Sequence, residues 1–265
     1  MKKTALIAII ATLALASAAF AGTIRVGASP SPHAEILEQA KDALKAEGVD
    51  LQIIEFTDYV TPNLALDDGD LDANYFQHFP YLDSFCKDRG LKLSSIGTIH
   101  VEPMGLYSRK YAKGSTLPDG ATIAIPNDPT NSGRALLLLQ AAGLITLAKD
   151  SGLTATELDV EDNPHNFKFR SLEAAQLPRA LDDVDAAIIN GNYALPAGFN
   201  PAKDALLVEG ASSPYANVVA VKAGNENNED LQKLLKVLQS DAIANFITEH
   251  YAGGALPAFS VVETK

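Results

Sequence analysis

The sequence predicts an α/β protein, and three observations carry that prediction. Short β-rich apolar runs alternate with helix-period segments along the chain, the first three elements read strand, helix, strand, and one helix-end and strand unit recurs about 115 residues later. In order, "TIRVGAS" (23–29) is a β-rich run broken by Pro30 and Pro32. In "HAEILEQAKDALKAEG" the residues Ile36, Leu37, Ala40 and Leu44 recur at helical spacing, and Gly48 stands where a C-terminal cap belongs. "VDLQIIEF" is a second strand, so the opening implies a parallel pair joined by a right-handed crossover. Strand material follows in "LKLSSIGTIHVEPMGLYS" and "ATIAIP", then a helix in "TNSGRALLLLQAAGLI" and a strand in "FKFRSL". "AAQLPRALDD" reads as a helix, "DAAIIN" and "YANVVAVKA" as strands, and "EDLQKLLKVLQSDAIANFITEHY" as one long amphipathic helix.

The recurring unit is "ALDDGDLDANYF" (65–76) and "ALDDVDAAIINGNY" (180–193). Both copies end a helix on Ala-Leu-Asp-Asp, break for one residue, place an Asp, run through a short apolar strand and bring an Asn together with an aromatic. Two lobes of like design are expected, with these stretches facing each other across a cleft, because open α/β sheets bind ligands beyond the carboxyl ends of their strands.

Composition narrows the function. The 265 residues hold 33 Asp and Glu against 21 Lys and Arg, a formal charge of −12, which argues against nucleic acid or an anionic membrane surface as partner. Cys86 is the single cysteine, so neither an intramolecular disulfide nor a thiolate metal cluster can form. Residues 1–21, "MKKTALIAIIATLALASAAFA", place Lys2 and Lys3 before a short Ala-rich apolar run and end in Ala19, Phe20 and Ala21. That is a signal-peptidase pattern, so cleavage before Gly22 and export of a soluble chain are expected.

Candidate binding groups gather at three places. In "IPNDPTNSGRALLLL" (125–139) turn and cap residues precede an apolar helix, and Arg134 is expected in its first turn, where the helix dipole disfavours a cation. Free backbone N–H groups and a guanidinium converging on a bound anion would reverse that penalty. With no glycine-rich phosphate loop or Walker lysine, a carboxylate is expected rather than a nucleotide phosphate. Asn190, after "DAAII", both donates and accepts, which suits the paired charges of an α-amino acid. Tyr59, Phe76 and His78 would supply an aromatic slot opposite, a combination that suits an amino acid with an apolar side chain.

Catalytic patterns are weaker. "HVE" (100–102) has the His-x-Glu of zinc deaminases without their Cys-x-x-Cys. His33, His78, His100, His165 and His250 show no helical i, i+4 pair or close spacing for a metal, no Gly-x-Ser-x-Gly elbow occurs, and Asp67, Asp68 and Asp70 read as a solvated helix end. Neither catalytic residues nor a metal or cofactor is expected.

Taken together, "DANYFQHFPYLD", "HVEPMGLYS", "IPNDPTNSGRALLLLQAAGLI", "LEAAQLPRALDD", "AAIINGNYA" and "SPYANVVAVK" resemble the NlpA lipoprotein family over nearly all of the chain after residue 21. The resemblance implies a type II periplasmic-binding-protein fold, two α/β lobes joined by two strand crossovers, and the role of methionine-binding component of an ABC importer. It implies lobe one at 22–106 and 214–265 and lobe two at 107–213, with L-methionine or a close relative as ligand: D-methionine, a methionine-containing dipeptide or another apolar amino acid. By motif, Tyr59, Phe76 and His78 match the slot around the ligand side chain, Arg134 the carboxylate-binding arginine and Asn190 the asparagine after "AAII", with Asn131 and Tyr193 as further candidates. An inner-membrane permease is the implied partner, and a monomer is expected. The sequence departs from the family where a lipobox cysteine would stand: Ala21 and Gly22 occupy that junction, so a periplasmic protein free of the membrane is expected.

Overall fold

The computed structural model describes residues 22–210 and 213–261; the expected signal segment lies outside them. Among the described residues no helix is long and apolar enough to cross a membrane. The chain begins with β1 (Gly22–Ala28), α1 (Glu35–Ala46) and β2 (Val49–Glu55). The predicted apolar stripe of α1, Ile36, Leu37, Ala40 and Leu44, is buried, and Gly48 at φ +77° turns the chain directly into β2. Then come α2 (Thr61–Asp68), β3 (Ala73–His78), α3 (Phe79–Arg89) and β4 (Leu93–Val101).

A second group of elements follows: β5 (Gly105–Tyr107), β6 (Thr122–Pro126), α4 (Pro129–Ala141), β7 (Thr146–Leu147), β8 (Val160–Asp162), β9 (Lys168–Leu172), α5 (Leu177–Ala180), β10 (Ala186–Ile189), α6 (Gly191–Ala194), α7 (Pro201–Asp204) and β11 (Leu207–Val208). The chain closes with β12 (Asn217–Lys222), α8 (Glu229–Leu238), α9 (Asp241–Tyr251) and β13 (Leu256–Val261).

Two sheets organise these elements. The six-stranded sheet runs β13-β4-β12-β3-β1-β2 and the five-stranded sheet β11-β5-β10-β6-β9, with β7 and β8 forming a separate pair. β1 pairs parallel with β2 and β3, as the strand-helix-strand opening implied, while β12 lies antiparallel between β3 and β4. In the second sheet β6 is parallel to β9 and β10, and β5 is antiparallel to β10. Both faces are covered: Val26, Ile36, Leu37, Ile99 and Leu234 pack one side of the first sheet, Leu66, Leu82, Val218 and Ala220 the other. In the second sheet Ile123, Ile125 and Leu136 pack one side, and Tyr107, Leu177 and Ile189 the other. Burial on both faces is why these strands read as continuous apolar runs rather than alternating ones. The chain passes between the sheets twice, from β4 to β5 and from β11 to β12.

Two helices differ from the sequence reading. The segment expected as one long helix after residue 228 breaks into α8 and α9 at Gln239 and Ser240. The apolar stripe itself skips there: Leu231, Leu234, Leu235 and Leu238 are followed by Ile243 and Ile247, a five-residue step that one straight helix cannot keep on a single face. Ser240 starts the second helix by accepting the Ile243 N–H, and Gln239 Nε2 donates to the Thr98 and Ser260 carbonyls of β4 and β13. "AAQLPRALDD" forms a 3₁₀ turn at Ala174–Gln176 and the short α5, because Pro178 has no N–H to continue a bond from the turn before it.

Candidate functional site

β3 and β10 both end at a small recess lined by residues from the two sheets. His78 closes β3 and Asn190 follows β10; Phe76 of the first copy of the sequence unit and Asn190 of the second both line the recess, although Asn74 of the first copy sits inside its strand rather than after it. There Asn74 binds Asn63 and Gln77 in a buried amide cluster, which supports the strand end from behind.

His78 has both ring nitrogens engaged. As N-cap of α3 its Nδ1 accepts the Tyr81 N–H at 3.1 Å, and its Nε2 donates to Asn131 Oδ1 at 3.1 Å. Burial, and then the Arg134 charge, lower its pKa to about 3, so the ring is neutral, and its one lone pair, on Nδ1, is taken up by the Tyr81 N–H. The aromatic slot builds outward from it. Phe76 is buried, and Tyr59 stands 6.1 Å from Phe76 and 5.8 Å from Tyr81, centroid to centroid. Tyr81, which sequence reading did not single out, lines the recess and donates its hydroxyl to the Tyr59 carbonyl at 2.7 Å. Tyr193 lies 5.2 Å from Tyr59, centroid to centroid, with the rings tilted, and donates to the Thr57 carbonyl; it is not among the residues lining the recess.

Asp128 caps α4, and this alters the anion site expected there. Its carboxylate accepts both the Asn131 N–H at 2.9 Å and the Asn131 side-chain amide, so the helix terminus already holds its anion. Fixed in this way, Asn131 turns Oδ1 toward the recess, where it accepts from His78 and from Asn190 Nδ2 at 2.8 Å. Because α4 starts at Pro129, Arg134 lies in its second turn, farther from the positive dipole end than expected. Its guanidinium is 4% exposed, packs 4.3 Å above the Tyr215 ring, and donates through Nε and Nη2 to both oxygens of Glu209. Nη2 also donates to the Glu102 carbonyl at 2.8 Å. The remaining nitrogen, Nη1, makes no hydrogen bond among the described residues.

Four further polar residues line the recess: Gln77, Glu102, Asn192 and Asn217. Glu102 Oε1 lies 2.9 Å from His100 Nε2, 3.3 Å from His33 Nε2 and 3.4 Å from Asn217 Nδ2. Tyr75 hydrogen-bonds the other nitrogen of His100, and His33 also meets Asn217 Oδ1 at 3.0 Å. Burial lowers His33 to about 4 and His100 to about 3, and raises the Glu102 carboxyl. The fold thus gathers His33, His100 and Glu102, their metal-capable atoms within 4.8 Å of one another, where chain spacing suggested no such group. Imidazole N–H groups donating to one carboxylate account for it. A divalent cation would displace both donors, add positive charge close to Arg134, and leave a proton on His33 Nδ1, which has no partner among the described residues. The donor set fits a hydrogen-bonded carboxylate better than a metal.

The "HVE" triplet held Glu102 and the run "SPYAN" ended on Asn217, but a motif comparison with deaminases and a strand assignment gave no reason to place either in a cleft. Asn192 had a local signal: it follows Asn190 across Gly191. The close approach at that glycine is itself part of the site, since a Cβ there would stand 2.6 Å from Glu102 Cβ.

The chain matches the family model described as NlpA lipoprotein over residues 24–259. It is 46% identical over 234 residues to a probable D-methionine-binding lipoprotein MetQ of Vibrio cholerae, covering 88% of this chain and 87% of that protein. Among solved structures it resembles a nutrient binding protein from Burkholderia cenocepacia bound to methionine, with a TM-score of 0.86 at 48% identity, covering 89% of this chain and all of that one. A periplasmic substrate-binding protein of an ABC transporter from Coxiella burnetii gives a TM-score of 0.85 at 49% identity over 89% of this chain and all of that chain.

Proposed function

The chain belongs to the NlpA lipoprotein family, and from that premise we propose that it is a solute-binding protein that captures L-methionine, or a close relative, between two lobes and delivers it to the permease of an ABC importer. The observation that carries this reading is the pairing of an aromatic slot with a buried guanidinium and an acceptor without a partner among the described residues, Asn190 Oδ1, in one recess. An apolar side chain would lie against Tyr59, Phe76 and Tyr81, a carboxylate on Arg134 Nη1, and an ammonium against Asn190 Oδ1. Asn131 serves the site by holding Asn190 and His78, and Tyr193 by backing Tyr59.

Lobe one would comprise 22–106 with 214–265 and lobe two 107–213. Supporting this division, β1 to β4 pair with β12 and β13, while β5, β6 and β9 to β11 pair with one another. The protein acts by binding and release, not as an enzyme: His78, the base candidate nearest the slot, spends both nitrogens on structure. It works as a periplasmic monomer after removal of the signal segment. Burying a methionine side chain contributes roughly 2 to 3 kcal/mol and each charge-assisted hydrogen bond about 1.5 to 3. Several of these, less the cost of closure, reach the roughly −8 kcal/mol of micromolar affinity.

A second reading, D-methionine, has the name of the Vibrio cholerae relative in its favour. Unfolding the purified protein and identifying the released small molecule by mass spectrometry after chiral separation tests both. Methionine of one hand is expected; release of a compound without an α-carboxylate, together with no thermal shift on adding either enantiomer, would overturn the assignment.

A further inference from the structure

Asn192 carries a buried polar group that the fold does not use. The residue is 6% exposed and lines the recess, and its Nδ2 is buried with no hydrogen-bond partner among the described residues. Buried amide donors are nearly always bonded, and leaving one unmade costs more than the bond itself contributes. Its orientation is also set. Tyr59, from across the cleft, donates its hydroxyl to Asn192 Oδ1 at 2.5 Å, which occupies the oxygen and leaves the NH₂ as the free end of the amide. The backbone beside it packs against Glu102, since a Cβ at Gly191 would stand 2.6 Å from Glu102 Cβ. Arg134 Nη2 sits on the carbonyl of that same Glu102, so the unpartnered amide and the guanidinium flank one residue.

From this geometry we infer that Asn192 is a ligand-contacting residue that donates Nδ2–H to the ligand's carboxylate beside Arg134, and that the Tyr59 hydroxyl is the positioning group that aims it. The inference rests on the amino-acid reading of the cleft and deepens it. Arg134 commits Nε and Nη2 to Glu209 and offers the carboxylate its remaining edge, so a second donor is required for the second carboxylate oxygen. Tyr59 then has two separable duties: its ring forms the slot, and its hydroxyl sets the amide. A ligand with a carboxamide in place of the carboxylate forfeits the charge-assisted part of the Asn192 bond, so Asn192 discriminates between acid and amide.

The test is calorimetric binding of methionine and of methioninamide to the wild-type chain, Asn192→Ala and Tyr59→Phe. Asn192→Ala is expected to weaken methionine on the order of tenfold, the loss of one charge-assisted hydrogen bond, and methioninamide much less, so that the preference for the acid shrinks. Tyr59→Phe keeps the ring and should shift the same preference in the same direction by a smaller factor, and it preserves the test if Asn192→Ala does not fold. Equal weakening of both ligands by either folded variant would mean a merely structural role, and unchanged methionine affinity would mean no contact; either result overturns the inference. Failure of the wild-type chain to bind methionine at all would instead overturn the proposed ligand.

Discussion

Arg134 shows how a single side chain is fitted for a cleft. A guanidinium that is nearly all buried needs its charge and its donors answered, and Glu209, the Glu102 carbonyl and the Tyr215 ring answer all but one edge. Lysine could not repeat this, because an ammonium is a point charge without the fork that holds two carboxylate oxygens while facing a third group. Arg134→Lys is therefore expected to weaken methionine by about 10- to 100-fold, equivalent to roughly 1.4 to 2.8 kcal/mol, as read by titration calorimetry. Wild-type affinity in that variant would remove Arg134 from the site. The residue was conspicuous in the sequence because a cation early in a helix is out of place. Its partner was not, because Glu209 lies 75 positions away and an exposed glutamate in a loop has the same local sequence.

At the scale of elements, α4 is positioned by a contact that only glycine permits. A Cβ at Gly133 would stand 2.3 Å from the Leu153 carbonyl oxygen and 2.9 Å from the Ala155 nitrogen, both backbone atoms with little room to shift. Gly133→Ala should accordingly push α4 away from the 152–155 segment and destabilise the fold by about 1 to 3 kcal/mol, the usual cost of overpacking, seen as a lower urea midpoint. An unchanged midpoint would mean that the segment moves freely. Most elements were legible in the chain because their signals are local: the stripe of α1, the cap-rich turn before α4, the apolar run of β10. The break between α8 and α9 was also written locally, in the five-step skip from Leu238 to Ile243. It was overlooked because each half is strongly amphipathic and Ser240 is an ordinary residue within a helix.

Across the whole molecule, the fold buries three neutral histidines. His33, His78 and His100 have pKa values of about 4, 3 and 3, lowered first by burial, whereas in the unfolded chain each titrates near 6.5. Below about pH 6.5 the unfolded state therefore takes up protons that the folded state refuses. Stability is complete above that pH and falls as the pH drops toward 4. Each histidine contributes a slope of at most about 1.4 kcal/mol per pH unit. The carboxyls of Glu102 and Asp128, raised by burial, act in the opposite direction and offset part of the loss. Urea unfolding at pH 7 and pH 5 should show clear destabilisation at the lower value, with a shallower dependence in His78→Gln; equal stability at the two values would contradict neutral, buried rings.

The sequence by itself determined the α/β class, the order of the longer strands and helices, and the residue types of a slot and a clamp, because propensity, apolar period and capping act over a few neighbouring residues. Only the tertiary structure decided which polar atoms meet. Glu209 on Arg134, Tyr59 on Asn192 and His33 beside Glu102 are partnerships across 75, 133 and 69 positions. A hydrogen bond is satisfied within about 3 Å, and the distance between two side chains so far apart in the chain is fixed by how the two sheets pack, which no local pattern encodes.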